Sequence, residues 1–270
     1  HLIVSSSHND RSEIEAALRF MRGRVDGLVI MSPQVESDLL LANLPKTLPV
    51  VLLNCRIENK LFDTITVDGF GGTKEVVAHL IAQGHRRIAI IKGSESNIEA
   101  HERLRGYRAA LIAAGIRPDR DLELAGDFTE ASGFDAARRI IAMQSHPTAV
   151  FASNDSMAIG AIGAFHEHGI RIPQQISVCG FDDIPVARYL QPALTSVHVP
   201  IHDLGFMSIE MILKRLQPGK RKEKASQILV ATTLSVRASC GPITEGSASS
   251  DDEHLKARDR QGSILKRSEA

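Results

Sequence analysis

Short apolar runs punctuate the chain at residues 2–6, 27–31, 49–53, 87–91, 148–152 and 176–180. Most are continuous rather than alternating. Strands apolar on both faces are what a parallel sheet covered by helices requires. The segments between them carry helical spacing. Over 73–84, Val76, Val77, Leu80 and Ile81 share a face, and Gly84 stands where a left-handed C-terminal cap is expected. Over 103–114, Leu104, Tyr107, Ala110, Leu111 and Ala114 do the same, and Gly115 closes the segment. Over 154–169, an Asn-Asp pair opens, Met157, Ala161 and Ala164 follow, and Gly169 closes. A further helix is predicted over 204–216 and a late strand over 227–231, joined by the basic loop PGKRKEKAS. This alternation predicts an α/β fold with right-handed crossovers. From about residue 242 apolar content falls and charges mix, which predicts a disordered tail over 242–270.

Composition narrows the function classes. The chain has 270 residues, 32 Lys plus Arg and 32 Asp plus Glu, so its formal net charge is zero. Without a basic excess it is a poor free-standing nucleic-acid binder, because phosphate neutralisation supplies most non-specific affinity. No apolar run reaches the ~18 residues that span a bilayer, and the first ten residues carry no secretory pattern, so no membrane partner is expected. Cys55, Cys179 and Cys240 are odd in number and far apart in sequence. They are expected to form neither a disulfide framework nor a metal clip, and to be small buried residues in a reducing, cytoplasmic compartment.

The chemistry-bearing motifs mostly fail on spacing. Gly69-Phe70-Gly71-Gly72-Thr73-Lys74 follows a strand and opens a helix, but Lys74 breaks G-x-G-x-x-G, and no G-x-x-x-x-G-K-[ST] occurs. A tight, closely packed turn accounts for it better. His166 and His168 point apart on a helix, and Pro200 lies between His198 and His202, so no metal site is expected. No G-x-S-x-G elbow is present. These motifs leave only a weak case for a nucleotide-dependent enzyme. What remains is a group of polar residues at strand C-terminal ends: Asn54, Asn154, Asp155 and Asp182. In open parallel sheets that edge is where ligands bind. Amides and carboxylates there, with one Arg and one aromatic face, suit a polyhydroxyl ligand. Singly, each such residue is more often a cap or turn residue.

Several stretches taken in order resemble a known family. These are VDGLVI (25–30), HLIAQGHRRIAI (79–90), ERLRGY (102–107), GDF (126–128), FASNDSMAIGA (151–161), ISVCGFDD (176–183), LTSV (194–197) and VRAS (236–239). Together they are similar to the effector-binding core of LacI/GalR-type transcriptional repressors over roughly residues 1–241. That resemblance implies a two-lobed periplasmic-binding-protein-like fold, with parallel sheets flanked by helices and a ligand cleft between the lobes. It assigns 1–67 and 198–220 to an N-terminal lobe, and 68–197 and 224–241 to a C-terminal lobe. It implies ligand contacts by Arg103, Phe128, Asn154 and Asp182, with weaker support for Asn54. Asp155 is expected mainly as a helix cap that could also reach the ligand. Val199 stands where many sugar-binding relatives have glutamine. Taken with the failed motifs, the resemblance implies no enzyme and no cofactor. The implied partners are a small sugar-like effector and a second copy in a homodimer. Operator DNA would be reached only through a helix-turn-helix that these residues do not contain. The core's first strand and helix are also expected to be missing, residues 2–6 being taken as its second strand. A transporter-linked sugar receptor is the alternative, and a nucleotide-dependent enzyme a distant third.

Overall fold

The computed structural model describes residues 1–6, 10–31, 37–45, 47–55, 61–219 and 223–243. The expected tail from 244, and residues 220–222 of the basic loop, lie outside the described residues.

Two sheets form. The first holds β1 (Leu28–Ile30), β2 (Val50–Leu53), β3 (Asp63–Val67) and β9 (Gln227–Val230), in the order β1-β2-β3-β9 and all parallel. The second holds β4 (Ile88–Ile91), β5 (Glu123–Leu124), β6 (Ala149–Ala152), β7 (Ser177–Asp182), β8 (Thr195–His198) and β10 (Thr233–Ser235). Its order is β10-β8-β7-β6-β4-β5, and only the β10–β8 pair is antiparallel. The α/β class expected from the alternation is the observed one.

The continuous apolar runs are explained by burial on both faces. In β4, Ile88 and Ile90 join one core with Phe151, Cys179 and Phe181, while Ala89 and Ile91 join another with Val150, Ala152 and Val178. Among the described residues, seven α-helices cover the sheets: α1 (Arg11–Met21), α2 (Ser37–Asn43), α3 (Gly69–Ala82), α4 (Ile98–Ala113), α5 (Glu130–Ile141), α6 (Asp155–Glu167) and α7 (Ile201–Leu216). On α1, Ile14, Leu18 and Met21 form the buried stripe of an amphipathic helix, capped by Asp10. Gly84, Gly115 and Gly169 all have positive φ, as their helix-closing positions require.

Two expectations are corrected. Residues 2–6 are not a strand: Leu2 and Val4 are exposed, and the segment has no place in either sheet. An apolar run becomes a strand only with a partner to take its hydrogen bonds. Residues 224–241 do not all join the second lobe. β9 pairs with β3 in the first sheet, and the chain crosses to the second only between Val230 and Thr233. Hydrophobicity cannot distinguish the two, because both sheets offer an apolar edge to an incoming strand.

Among the described residues, three segments connect the lobes, and they run close together. Val67–Gly69 leads from β3 into α3, His198–Ile201 leads from β8 into α7, and Val230–Thr233 leads from β9 to β10. Asp68 N–H donates to the Val230 carbonyl (2.9 Å) and Thr232 Oγ1 to the Asp68 carbonyl (3.4 Å). Gly72 is needed here: a Cβ on it would lie 2.3 Å from Thr232 Oγ1 and 2.8 Å from Val197 Cγ1. The glycine-rich turn is thus a close-packing device. The N-terminus of α3 is occupied by the Asp68 carboxylate, which accepts from Gly71 N–H at 2.7 Å.

Candidate functional site

The C-terminal ends of strands from both sheets open onto a cavity of about 750 Å³ between the lobes. Asn54 and Val67 line it from the first sheet, and Asn97, Phe128, Asn154, Asp182 and His198 from the second. The backbone marks the same place. Asn54 (φ 50°), Phe128 (φ 73°), Asp182 (φ 105°) and Asp183 (φ 55°) are the non-glycine residues with positive φ among the described residues, and all four line this cavity. Such conformations cost about 1–3 kcal/mol each and persist where surroundings enforce them, often at functional sites.

Arg103 is at the centre. It lies on the second turn of α4 and is buried. Its Nη1 donates to the Ser153 carbonyl, and its Nη2 lies 3.5 Å from Asp182 Oδ1. The guanidinium stacks on the buried Phe181 ring, 3.8 Å from its centroid, and faces Phe128 at 5.9 Å. Its Nε is buried without a hydrogen-bond partner among the described residues. Burial lowers the guanidinium pKa, opposed by Asp182, Glu99 and Asp155.

Two carboxylates flank this cation. Burial raises the pKa of Asp182, with Arg103 acting against it. Glu99, which also lines the cavity, is raised first by burial and further by Glu102, Asp182 and Asp68, again against Arg103. Its Oε2 is buried and has no hydrogen-bond partner among the described residues. Both carboxylates are therefore stronger bases than usual, which favours accepting hydroxyl hydrogens.

The remaining expected residues have distinct places. Asn154 lines the cavity, but its side chain is engaged: Oδ1 caps α6 by accepting from Met157 N–H (2.9 Å), and Nδ2 donates to the Phe128 carbonyl (3.0 Å). It therefore holds Phe128 in its left-handed conformation. Gly93 lies beneath that ring, where a Cβ would come 2.0 Å from Phe128 Cζ. Asn54 Oδ1 accepts from Val67 N–H at 2.9 Å, tying the ends of β2 and β3.

Asp155 is a correction. It is fully buried and is not on the cavity wall. Its carboxylate accepts from Ser196 Oγ (2.6 Å) and Ile184 N–H (2.8 Å), behind the 182–184 turn. It does not cap the helix either; Asn154 does. A residue one place past a cap points to another side of the helix, here toward β8. Asp183 is likewise structural. Burial alone would raise its pKa, but hydrogen bonds from Arg237 and Ser235 outweigh burial and hold it low, with His198 adding to them.

Sequence reasoning missed Glu99, Asn97 and Phe181. The signal for the first two was present: Asn97 accepts from Glu99 N–H (2.8 Å) and Ala100 N–H (3.3 Å), so α4 starts five residues before Arg103. The three cysteines are free thiols, with Cys55 and Cys179 buried and Cys240 partly so. What their spacing does not show is that Cys179 and Cys240, 61 residues apart, have sulfurs 2.8 Å apart. Sequence separation says nothing of distance once both segments lie on one sheet.

Comparison with known proteins gives a consistent picture. Residues 77–240 match the family model described as a periplasmic binding protein-like domain. The chain is 38% identical over 249 residues to the HTH-type transcriptional repressor PurR of Edwardsiella ictaluri, covering 90% of this chain and 72% of that protein. It is 35% identical over 222 residues to the "Probable HTH-type transcriptional repressor ExuR" of Bacillus subtilis, covering 82% of this chain and 66% of that protein. The chain thus spans about two thirds of the length of these relatives. A crystal structure of a LacI family transcriptional regulator from Enterococcus faecium with bound ribose superposes with a TM-score of 0.78 at 28% identity, covering 87% of this chain and 86% of that one.

Proposed function

The chain belongs to the LacI family of transcriptional regulators, within their periplasmic binding protein-like domain, and on that premise we propose that its cleft binds a small polyhydroxyl effector, a sugar or sugar derivative. The observation that carries this reading is Arg103, stacked on Phe181 and flanked by Asp182 and Glu99 inside the inter-lobe cavity. A planar donor between two basic carboxylates, with an aromatic face beside them, matches alternating hydroxyl and C–H surfaces. Arg103 and Asp182 contact ligand oxygens, Phe128 covers the C–H face, and Asn54 reaches it from the other lobe. Asn154 contributes by positioning Phe128. Bound ligand touches both lobes and favours closure by its differential affinity for the closed state. In the whole regulator, a homodimer acting in the cytoplasm, closure changes how two helix-turn-helix heads meet operator DNA. The repressor relatives favour this over a transporter-linked receptor.

The test is a thermal melt of the chain with pentoses, hexoses, sugar phosphates and purines. A ligand that binds only the native state raises the midpoint by mass action, by ~2.7 kcal/mol of stability at a hundredfold excess over Kd. The rise should shrink to roughly half or less in Asp182→Ala, as a loss of roughly 1.5–3 kcal/mol in affinity implies. A purine-specific rise would replace the sugar reading, and a rise unchanged in Asp182→Ala would overturn the site.

A further inference from the structure

We propose that Cys179 and Cys240 are an oxidisable pair, closed by a hydroperoxide into an intramolecular disulfide that fastens the C-terminal end of the core to β7. The two sulfurs stand 2.8 Å apart, about 0.8 Å beyond the ~2.05 Å of a disulfide bond. The backbone around them is already aligned. Val178 N–H donates to the Ser239 carbonyl (2.9 Å), and Ser239 Oγ donates to the Val178 carbonyl (2.6 Å). Thr195 N–H donates to Ser239 Oγ (2.8 Å). The neighbours of both cysteines are thus cross-linked by hydrogen bonds, and bond formation needs side-chain adjustment rather than strand movement. Cys55 makes an internal contrast: it is buried in the other lobe, and its thiol bonds to the Leu53 carbonyl at 3.2 Å.

The order of events follows from exposure. Cys179 is fully buried, while Cys240 is only partly so. Hydrogen bonding from Cys179 lowers the Cys240 pKa, whereas burial pushes the Cys179 thiol up. Cys240 thiolate attacks the peroxide: an S–O bond forms, the O–O bond breaks, and the leaving oxygen departs as water, or as an alcohol from an organic hydroperoxide. Cys179 sulfur then attacks that sulfenic sulfur. The S–S bond forms, the S–O bond breaks, and the hydroxyl leaves as water with the thiol proton. Two thiols lose two electrons to the peroxide, and a dithiol reductant reverses the step.

The consequence reaches the cleft. Cys179 lies three residues before Asp182 on the same strand, and Cys240 three residues after Arg237, which pairs with Asp183 at 2.7 Å. The disulfide would make covalent a loop already closed by the Arg237–Asp183 pair, stiffening the turn that presents Asp182.

The experiment treats the whole chain with hydrogen peroxide, alkylates it under denaturing conditions and maps the peptides. Expected are linked peptides containing Cys179 and Cys240, alkylated Cys55, and full reversal by dithiothreitol. The oxidised chain should melt roughly 5–10 °C above the reduced one, a rise absent in Cys240→Ser. The map uses the unsubstituted chain, so it decides even if that variant does not fold. Alkylation of both cysteines after peroxide, separate over-oxidation of either, or a link between two copies would each overturn the proposal.

Discussion

Replacing Asp155 by Asn should remove a pH dependence from folding. Asp155 is fully buried, and burial lifts its pKa from the ordinary 3.8 to about 7, against hydrogen bonds from Ser196 and Ile184 and with Asp182 and Asp183 adding to the rise. In the unfolded chain the carboxyl ionises near its ordinary value. Between these two values the folded state holds a proton that the unfolded state has lost, so stability falls as pH rises. The contribution is fully present below about pH 4 and is gone above about pH 7. At about 1.4 kcal/mol per tenfold change in proton affinity, the loss is about 4 kcal/mol. Asn fits the same place. Its Oδ1 accepts from Ile184 N–H, and its Nδ2 donates to Ser196 Oγ, whose hydroxyl rotates to accept. His85 works the other way: burial lowers its pKa, so its contribution is present above its ordinary value of 6.5 and is lost on acidification. That part is common to both proteins and cancels in their difference. Urea unfolding of both proteins at steps between about pH 4.5 and 8.5 gives that difference directly. It should widen in favour of Asp155→Asn up to about pH 7 and then level. Parallel curves over this range would refute the reasoning.

The other expectations concern the cleft. Arg103→Ala should weaken the ligand found by the thermal screen by roughly 1.5–3 kcal/mol, the scale of hydrogen bonds to charged groups, read by calorimetric titration; unchanged affinity would remove Arg103 from the site. Gly93→Ala should displace the Phe128 ring and weaken the same ligand about tenfold, equivalent to about 1.4 kcal/mol; equal affinity would mean the ring takes no part. Gly72→Ala should destabilise the fold by roughly 1–3 kcal/mol through crowding at Thr232 and Val197, measured by urea unfolding; a loss below about 0.5 kcal/mol would show that the lobe connection yields easily.

What was legible in the sequence follows from which forces are local. Strands β1, β2, β4, β6 and β7 could be read because burial on both faces writes a continuous apolar run. β3 and β8 were obscured by polar residues whose partners are distant. Asp63 opens β3 and pairs with Arg215 at 2.6 Å, 152 residues away. In β8, Thr195 and Ser196 are buried by virtue of bonds to Ser239 and Asp155. No window of sequence shows such a pairing. Residues 2–6 failed for the complementary reason, having the composition of a strand without a neighbour. In the cleft, residue types at strand ends pointed to Asn54, Asn154 and Asp182, and the resemblance to Arg103 and Phe128. The structure brings all five to one cavity. The direction of a side chain was beyond reach: Asp155 turns away from the cavity, while Glu99 turns into it.

The three segments joining the lobes have a mechanical consequence. A single tether leaves two bodies free to swing and twist, and a pair still allows torsion about their common line. Three ties set side by side and bonded to one another, as Asp68 is to Val230 and Thr232 to Asp68, suppress twist and leave one soft rotation. Whatever enters the cleft then acts on a single angle. On the proposed effector-binding reading, ligands of different chemistry would differ only in how far they turn it.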